Sequence, residues 1–349
     1  MQVKRIAAAA ALLASVVAPP TLADGRNPGS TLVYPVQRSA GFGEAGNSSS
    51  SYFTVVCVTN TNTAPQTPSS FGGSTLVHYE YANAVRNNQD PTRPLSCHIF
   101  NRVEMLTPAD TLCVLTSCHN AVTYDGQEGY LVVSAQDPNQ FDVAWSHDYL
   151  VGSELVINGS GGLYSINAVP FESRVAAGEA TDVNGNGQLD FDDIEYEGIP
   201  DVLYIDSFVA LGGSQLSLLN LTGGPKDINV VQFSVWNDNE FPLSATQHFN
   251  CWFDLPLAYI SPLFREGFLQ NSTPNDPSEL DIRCSGTGTY ETGWARIDSV
   301  DVHTPGGLPV SSDGAMLGAI TAGNRTEFDG GHLLWESTEK QLNGSFHAP

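Results

Sequence analysis

Short runs of β-branched and aromatic residues, each closed by turn residues, recur along most of the chain. The segment Tyr52–Thr59 (YFTVVCVT) is typical. Such runs favour strands, because branched and aromatic side chains pack well on a pleated surface. We find none of the repeated helical periods that a parallel βαβ arrangement needs. The pattern therefore predicts an all-β chain of two β-sandwich or jelly-roll-like domains.

The pattern also predicts where the strands lie and where the domains divide. Turn residues at Thr222–Pro225 separate a domain over residues 24–221 from a second over residues 222–349. The polar stretches 41–51, 60–74 and 84–96 are predicted surface loops. Predicted strands are Thr31–Gln37, Tyr52–Thr59, Thr75–Ala82, Cys97–Leu106, Asp110–Cys118, Gly129–Gln136, Phe141–His147, Glu154–Ile157, Leu163–Val169, Val202–Leu211, Gln215–Leu221, Asn229–Val235, Ala245–Asp254, Glu279–Cys284, Gly293–Val302, Ala315–Thr321 and Gly331–Glu336.

The first residues are typical of a secretory signal peptide. Lys4 and Arg5 precede an apolar run over residues 6–18, and small residues follow at residues 21–23. The run is shorter than the about 20 residues of a membrane-spanning helix, and no later run is long enough to span a bilayer. We therefore expect residues 1–23 to be removed and the protein to be secreted, either to the periplasm or to the cell exterior.

The charge of the chain argues against two classes of partner. The formal net charge is −24, and removal of Lys4 and Arg5 with the signal peptide makes it −26. A surface this acidic repels nucleic acid and anionic membranes, whereas it attracts divalent cations.

All six cysteines follow the signal peptide, so an oxidising compartment predicts disulfide bonds. Six cysteines allow fifteen pairings. Local bridges are preferred, namely Cys57–Cys97, Cys113–Cys118 and Cys251–Cys284. A zinc site is the alternative, but no pair with Cys-x-x-Cys spacing supports it.

Residues 172–201 differ from the rest, because they are acidic and contain few β-branched residues. A short helix is expected to begin near Phe191. The segment contains a twelve-residue pattern, Asp182 to Asp193, whose spacing matches that of an EF-hand-type calcium loop. Gly187 stands at the sixth position, where the chain must turn sharply. The predicted calcium ligands are Asp182, Asn184, Asn186, the carbonyl of Gln188, Asp190 and Asp193.

The last position of this loop is Asp193, where the common pattern has a glutamate that binds with both oxygens. With Asp there and Asn184 at the third position, the loop resembles those of bacterial dockerin modules. Dockerins carry two such segments and this chain has one, so docking to a cohesin partner does not follow from the resemblance. The calcium loop is expected to brace an insertion between strands.

Several phrases resemble uncharacterised exported bacterial proteins over most of the mature chain. They are Val55–Asn62 (VVCVTNTN), Phe100–Pro108 (FNRVEMLTP), Gly129–Val133 (GYLVV), Phe249–Trp252 (FNCW) and Thr292–Asp298 (TGWARID). This resemblance implies a secreted β-sandwich protein and carries no catalytic residue with it.

Catalytic signatures are missing from the sequence. There is no His-Glu-x-x-His metal motif and no Gly-x-Ser-x-Gly elbow. In Ser146-His147-Asp148, adjacent residues of a strand would point to opposite faces, so they cannot form a relay. We therefore expect a structural or binding role with calcium. The first alternative, suggested by the dockerin-like loop, is a polysaccharide-binding or polysaccharide-degrading accessory protein, in which exposed aromatic residues would bind the sugar. The second is a hydrolase with a site assembled from scattered residues. The alternative partners are a polysaccharide or another surface protein.

Overall fold

The computed structural model describes residues 27–39, 52–85, 87, 95–120, 127–158, 163–210, 213–238, 240–272, 291–323, 328–335, 340–341 and 344–347. The predicted signal peptide and the predicted strand Glu279–Cys284 lie outside these residues, as does the predicted loop 41–51.

The first part of the chain forms one antiparallel sheet. Its order is β4-β3-β6-β1-β2-β7-β8, with β5 paired to β2 and β9 paired to β1. The strands are β1 (Thr31–Ser39), β2 (Tyr52–Asn60), β3 (Thr75–Ala84), β4 (Cys97–Leu106), β5 (Thr111–Leu115), β6 (Gln127–Gln136), β7 (Leu150–Asn158), β8 (Leu163–Asn167) and β9 (Val169–Phe171).

This sheet folds over on itself to make a sandwich. Among the described residues, β1 and β2 are paired only at Ser39 and Phe53, so the strands on either side of that point diverge. Tyr34 and Tyr79 from one half pack with Val56 and Val58 of β2 in a single buried cluster. The residues that face this cluster alternate with residues that face away from it, as a pleated strand requires.

The second part forms two further sheets and two small ribbons. The sheets have the orders β12-β17-β14-β15, with β18 on β17, and β16-β13-β19-β20. The ribbons pair β10 with β22 and β11 with β21. The strands are β10 (Gln188–Phe191), β11 (Ile199–Pro200), β12 (Val202–Val209), β13 (Gln215–Asn220), β14 (Ile228–Asn237), β15 (Pro242–Phe249), β16 (Trp252–Pro256), β17 (Thr292–His303), β18 (Pro309–Ser311), β19 (Met316–Gly323), β20 (Phe328–His332), β21 (Lys340–Gln341) and β22 (Gly344–His347).

The two sandwiches share a buried core. Val33 and Val132 of the first sandwich pack with Leu219, Trp252 and Leu317 of the second. On β13, Leu216 and Leu218 face the opposite way, into the core of the second sandwich. The sheets therefore stack as four layers with apolar cores between them. The middle core joins the two halves, and a smaller cluster of first-sandwich residues around Ala319 of β19 joins them as well.

Polar contacts also join the halves across the middle core. The indole nitrogen of Trp252 donates a hydrogen bond of 2.9 Å to the carbonyl of Pro35. The Arg38 guanidinium forms an ion pair with Asp254, and both side chains are nearly fully buried. β12 and β13 precede the predicted domain boundary at residue 221, yet their sheets contain strands that follow it.

The predicted all-β class is confirmed, and most strands lie where the pattern predicts them. Several local predictions are wrong. The predicted strand Ala245–Asp254 divides into β15 and β16, which belong to different sheets, and the predicted strand Leu163–Val169 divides into β8 and β9. Phe141–His147 forms turns with isolated bridges, and the strand predicted over Asp110–Cys118 ends at Leu115, where helix α1 (Thr116–His119) begins. No helix begins near Phe191, because that residue closes β10. The other helices are α2 (Leu257–Ile260), α3 (Glu266–Ser272) and a 3₁₀ turn at Pro262–Phe264.

The predicted local disulfide pairing is also wrong. Cys57 bonds to Cys113, its direct partner across β2 and β5. Cys97 bonds to Cys251 and links the two sandwiches across 154 residues of sequence. Cys118 is exposed and forms no disulfide, and Cys284 lies outside the described residues. Proximity in sequence fails as a guide because antiparallel pairing and layer packing bring distant residues together.

Candidate metal centre

The predicted calcium loop joins the shared core through its apolar residues. β10 alternates exposed and buried positions, so Leu189 and Phe191 face inward. Phe191 contacts Phe171 of β9 with a ring-centroid distance of 4.9 Å. Tyr196, which is fully buried, packs against Phe191 from the other side of the loop. The conformation of the loop is therefore coupled to the core that joins the sandwiches.

The Asp182 carboxylate organises the first turn of the loop. One oxygen accepts hydrogen bonds from the backbone N–H groups of Gly185 at 2.7 Å and Asn186 at 3.0 Å. The other accepts from Gly187 at 3.0 Å. Gly185 and Gly187 have φ angles of 74° and 73°, which glycine adopts without a Cβ clash. The sequence thus folds this segment around the first predicted ligand.

Three further predicted ligands meet at one point. Asn184 and Asn186 donate from their side-chain amides to the same Asp190 oxygen, at 2.7 Å and 2.8 Å. Their own amide oxygens accept from backbone N–H groups two residues further along the chain. The side chains at the third, fifth and ninth positions therefore converge, and here amide N–H groups balance the Asp190 charge.

The remaining two predicted ligands are placed differently. One carboxylate oxygen of Asp193 accepts from Arg174 at 3.1 Å and from the backbone N–H of Gly198, also at 3.1 Å. Asp193 itself has a φ angle of 63°, in the left-handed region. Gln188, whose carbonyl is the predicted ligand, opens β10 opposite His347. Their roles as ligands stay predictions.

Glu195 is a loop residue that the sequence pattern misses, because it lies two positions beyond the end of the twelve-residue motif. Its side chain is 1% exposed. One carboxylate oxygen accepts from the backbone N–H groups of Val183 at 2.7 Å and Asn184 at 3.3 Å. The other has no hydrogen-bond partner in the described structure. Burial raises the pKa of Glu195, and these N–H groups oppose the rise.

The donor chemistry of the loop fits a hard cation, since every predicted ligand atom is a carboxylate, amide or carbonyl oxygen. Within the described ranges, however, no three His, Cys, Asp or Glu side chains lie close enough to hold a metal ion. The Asn184 and Asn186 amides direct N–H groups, not oxygens, at the Asp190 carboxylate. Calcium binding would therefore require these two amides to turn their oxygens toward the ion.

The histidine and aspartate of the Ser146–Asp148 segment make separate structural contacts. The Asp148 carboxylate accepts from Ser30 at 2.6 Å, whereas a ring nitrogen of His147 bonds to the Asn60 side chain at 3.1 Å. Burial lowers the pKa of His147 to about 4. These contacts form no nucleophile–base relay.

A stacked tryptophan pair lies on the outer face of the last sheet. Trp236 of β14 and Trp294 of β17 are direct partners. Their ring centroids are 4.1 Å apart and their planes are 8° from parallel. Trp294 is 40% exposed. The next row of the same face holds Arg296, which pairs with Asp298 at 2.7 Å.

None of the helices in the described part of the chain has the length and apolar character needed to cross a bilayer. Comparison with known proteins assigns no family, because no family model and no curated protein matches this chain.

Proposed function

We propose that this is a secreted β-sandwich protein in which one calcium ion braces the 182–193 loop, and that its role is structural or in binding. The observation that carries the proposal is the convergence of Asn184 and Asn186 on Asp190, around a turn that the Asp182 carboxylate organises. The acidic surface favours such a cation, and the two disulfides fit an oxidising compartment.

A bracing role follows from what the loop is attached to. Leu189, Phe191 and Tyr196 are buried in the core shared by the two sandwiches. An ion that fixes the loop would hold these side chains in place. It would thereby stabilise the contact between the halves, because any ligand that binds only the folded state adds its binding free energy to folding.

Calcium should therefore raise the melting temperature of the full mature chain. At a concentration 100 times the dissociation constant, linkage adds about 2.7 kcal/mol. For a chain of this size that corresponds to a rise of roughly 5 °C. Differential scanning calorimetry in excess calcium and in chelator measures the difference.

Two matched variants separate calcium binding from a general charge effect. Asp190→Asn removes the charge of a predicted ligand and should abolish most of the calcium-dependent rise. Glu197→Gln removes a charge four residues beyond the loop, where the carboxylate pairs with Arg174, and should retain it. Equal melting temperatures in calcium and chelator for the unmodified protein would contradict the proposal.

A polysaccharide-binding role is the second candidate, and the Trp236–Trp294 pair favours it. Aromatic rings present apolar faces that stack on sugar rings, while neighbouring polar groups bond to hydroxyls. The partly exposed ring of Trp294 and the polar row containing Arg296 supply both elements. The balanced Arg296–Asp298 pair suits an uncharged polysaccharide.

Trp294→Ala should weaken the binding of a neutral soluble polysaccharide about tenfold or more, as expected for the loss of an aromatic anchor. Affinity electrophoresis in gels containing β-glucan, xylan or mannan measures this. Phe141→Ala is the control, since Phe141 is 78% exposed and lies in the first sandwich. Unretarded migration of the unmodified protein in all three gels would rule out this role.

A further inference from the structure

We propose that Glu195, rather than Asp193, supplies the carboxylate oxygen that closes the calcium loop. This inference rests on the proposed calcium binding and names a ligand that the twelve-residue pattern does not contain.

Asp193 is already held by other groups. Its carboxylate accepts two hydrogen bonds from Arg174, at 3.3 Å and 3.1 Å, and one from the backbone N–H of Gly198. Arg174 also pairs with Glu197 at 3.3 Å, so the guanidinium bridges Asp193 to a carboxylate outside the loop. Moving Asp193 onto an ion would leave this bridge without one of its members.

Glu195 reaches the part of the loop where an ion would be bound. Its carboxylate caps the N–H groups of Val183 and Asn184, which follow directly after Asp182. The carboxylate therefore lies beside the first and third positions of the loop. The turn that brings it there is fixed by Asp192, whose side chain accepts from the Glu195 N–H at 3.0 Å.

The second oxygen of Glu195 is the independent sign of a ligand. It is buried and has no hydrogen-bond partner in the described structure. A buried, unpartnered charged oxygen is costly, and a bound cation is one of the few ways to satisfy it. The capped oxygen already accepts two N–H bonds, so the unpartnered oxygen is the one that can bind the ion.

The test compares calcium and terbium binding by Glu195→Gln, Asp193→Asn and the control Glu197→Gln in the full mature chain. Glu195→Gln should weaken calcium binding at least about 30-fold, because it removes a charged ligand. The other two should change it less than about threefold. Terbium luminescence lifetimes in H2O and D2O count bound waters, and Glu195→Gln should add about one.

Melting temperature in chelator verifies folding, and Glu195→Asp, which keeps the charge but shortens the reach, serves if Glu195→Gln does not fold. Loss of affinity in Asp193→Asn with normal binding in Glu195→Gln would overturn the inference and leave the calcium proposal intact. An unchanged water count in Glu195→Gln would also overturn it. No binding of either ion by the unmodified protein would overturn both.

Discussion

Replacing Asp254 with alanine should destabilise the protein by about 3–5 kcal/mol, the range for a buried ion pair that loses one member. Asp254 pairs with Arg38 and also accepts a hydrogen bond of 2.8 Å from the Ser217 hydroxyl. Alanine would leave the Arg38 charge buried between the two sandwiches. Arg38 also opposes the rise in the pKa of Glu154 that burial causes, so the charges here are interdependent. Urea unfolding of the mature chain measures the loss.

Asp298→Ala is the matched control, because the Arg296–Asp298 pair is of the same type but partly exposed. An exposed pair contributes at most about 1 kcal/mol. Arg38→Met combined with Asp254→Ala should be less destabilising than the sum of the single changes. If Asp254→Ala costs no more than Asp298→Ala, the ion pair does not join the sandwiches.

Replacing Glu80 with glutamine should stabilise the protein at alkaline pH and leave it unchanged at acid pH. Glu80 is fully buried on β3, and neither carboxylate oxygen has a hydrogen-bond partner in the described structure. Burial raises the pKa of Glu80 from 4.5 to about 8, and the nearby Asp142 charge adds to the rise. Ionisation of this carboxylate therefore opposes folding.

The sign follows from proton linkage. Above pH 4.5 the unfolded state loses the Glu80 proton while the folded state keeps it until about pH 8. The contribution of Glu80 to the free energy of unfolding therefore falls by about 1.4 kcal/mol per pH unit between these two pH values. The advantage of Glu80→Gln should grow from near zero at pH 4.5 to at most roughly 5 kcal/mol at pH 8.

Unfolding free energies of variant and unmodified chain at several pH values measure this advantage. Glu104→Gln is a control of opposite sign, because a hydrogen bond from Arg102 lowers the pKa of Glu104. A pH-independent difference between Glu80→Gln and the unmodified chain would refute the assignment.

Strand positions could be predicted because a buried strand has a recognisable local pattern of residues in the sequence. The prediction Thr75–Ala82 differs from the observed β3 only at its end, since branched and aromatic residues favour a pleated conformation wherever they occur. The predicted strand Phe141–His147 is a case where this pattern fails. Its apolar residues suggest a strand, yet its backbone follows turns that begin at Asp137.

Contacts between layers could not be predicted in this way. Cys97 and Cys251 are 154 residues apart, and their pairing depends on how the two sandwiches stack. The Arg38–Asp254 pair depends on the same stacking. The sequence around each of these four residues does not indicate which residue it pairs with.

The candidate site also combines local contacts, which the sequence predicts, with contacts that depend on the fold. The turn from Asp182 to Asp190 is local, so spacing alone predicts which side chains come together. The position of the Asp193 carboxylate depends on its hydrogen bond with Arg174, which lies 19 residues earlier. The position of Glu195 depends on a turn beyond the motif. Both are set by the surrounding fold, which the motif does not encode.

The central claim is that the loop binds one calcium ion, and equilibrium dialysis against radioactive calcium tests it most directly. The unmodified mature chain should bind one ion per molecule with saturation, and Asp190→Asn should bind far less at the same free calcium. Absence of saturable binding by the unmodified chain, or equal binding by Asp190→Asn, would contradict the claim.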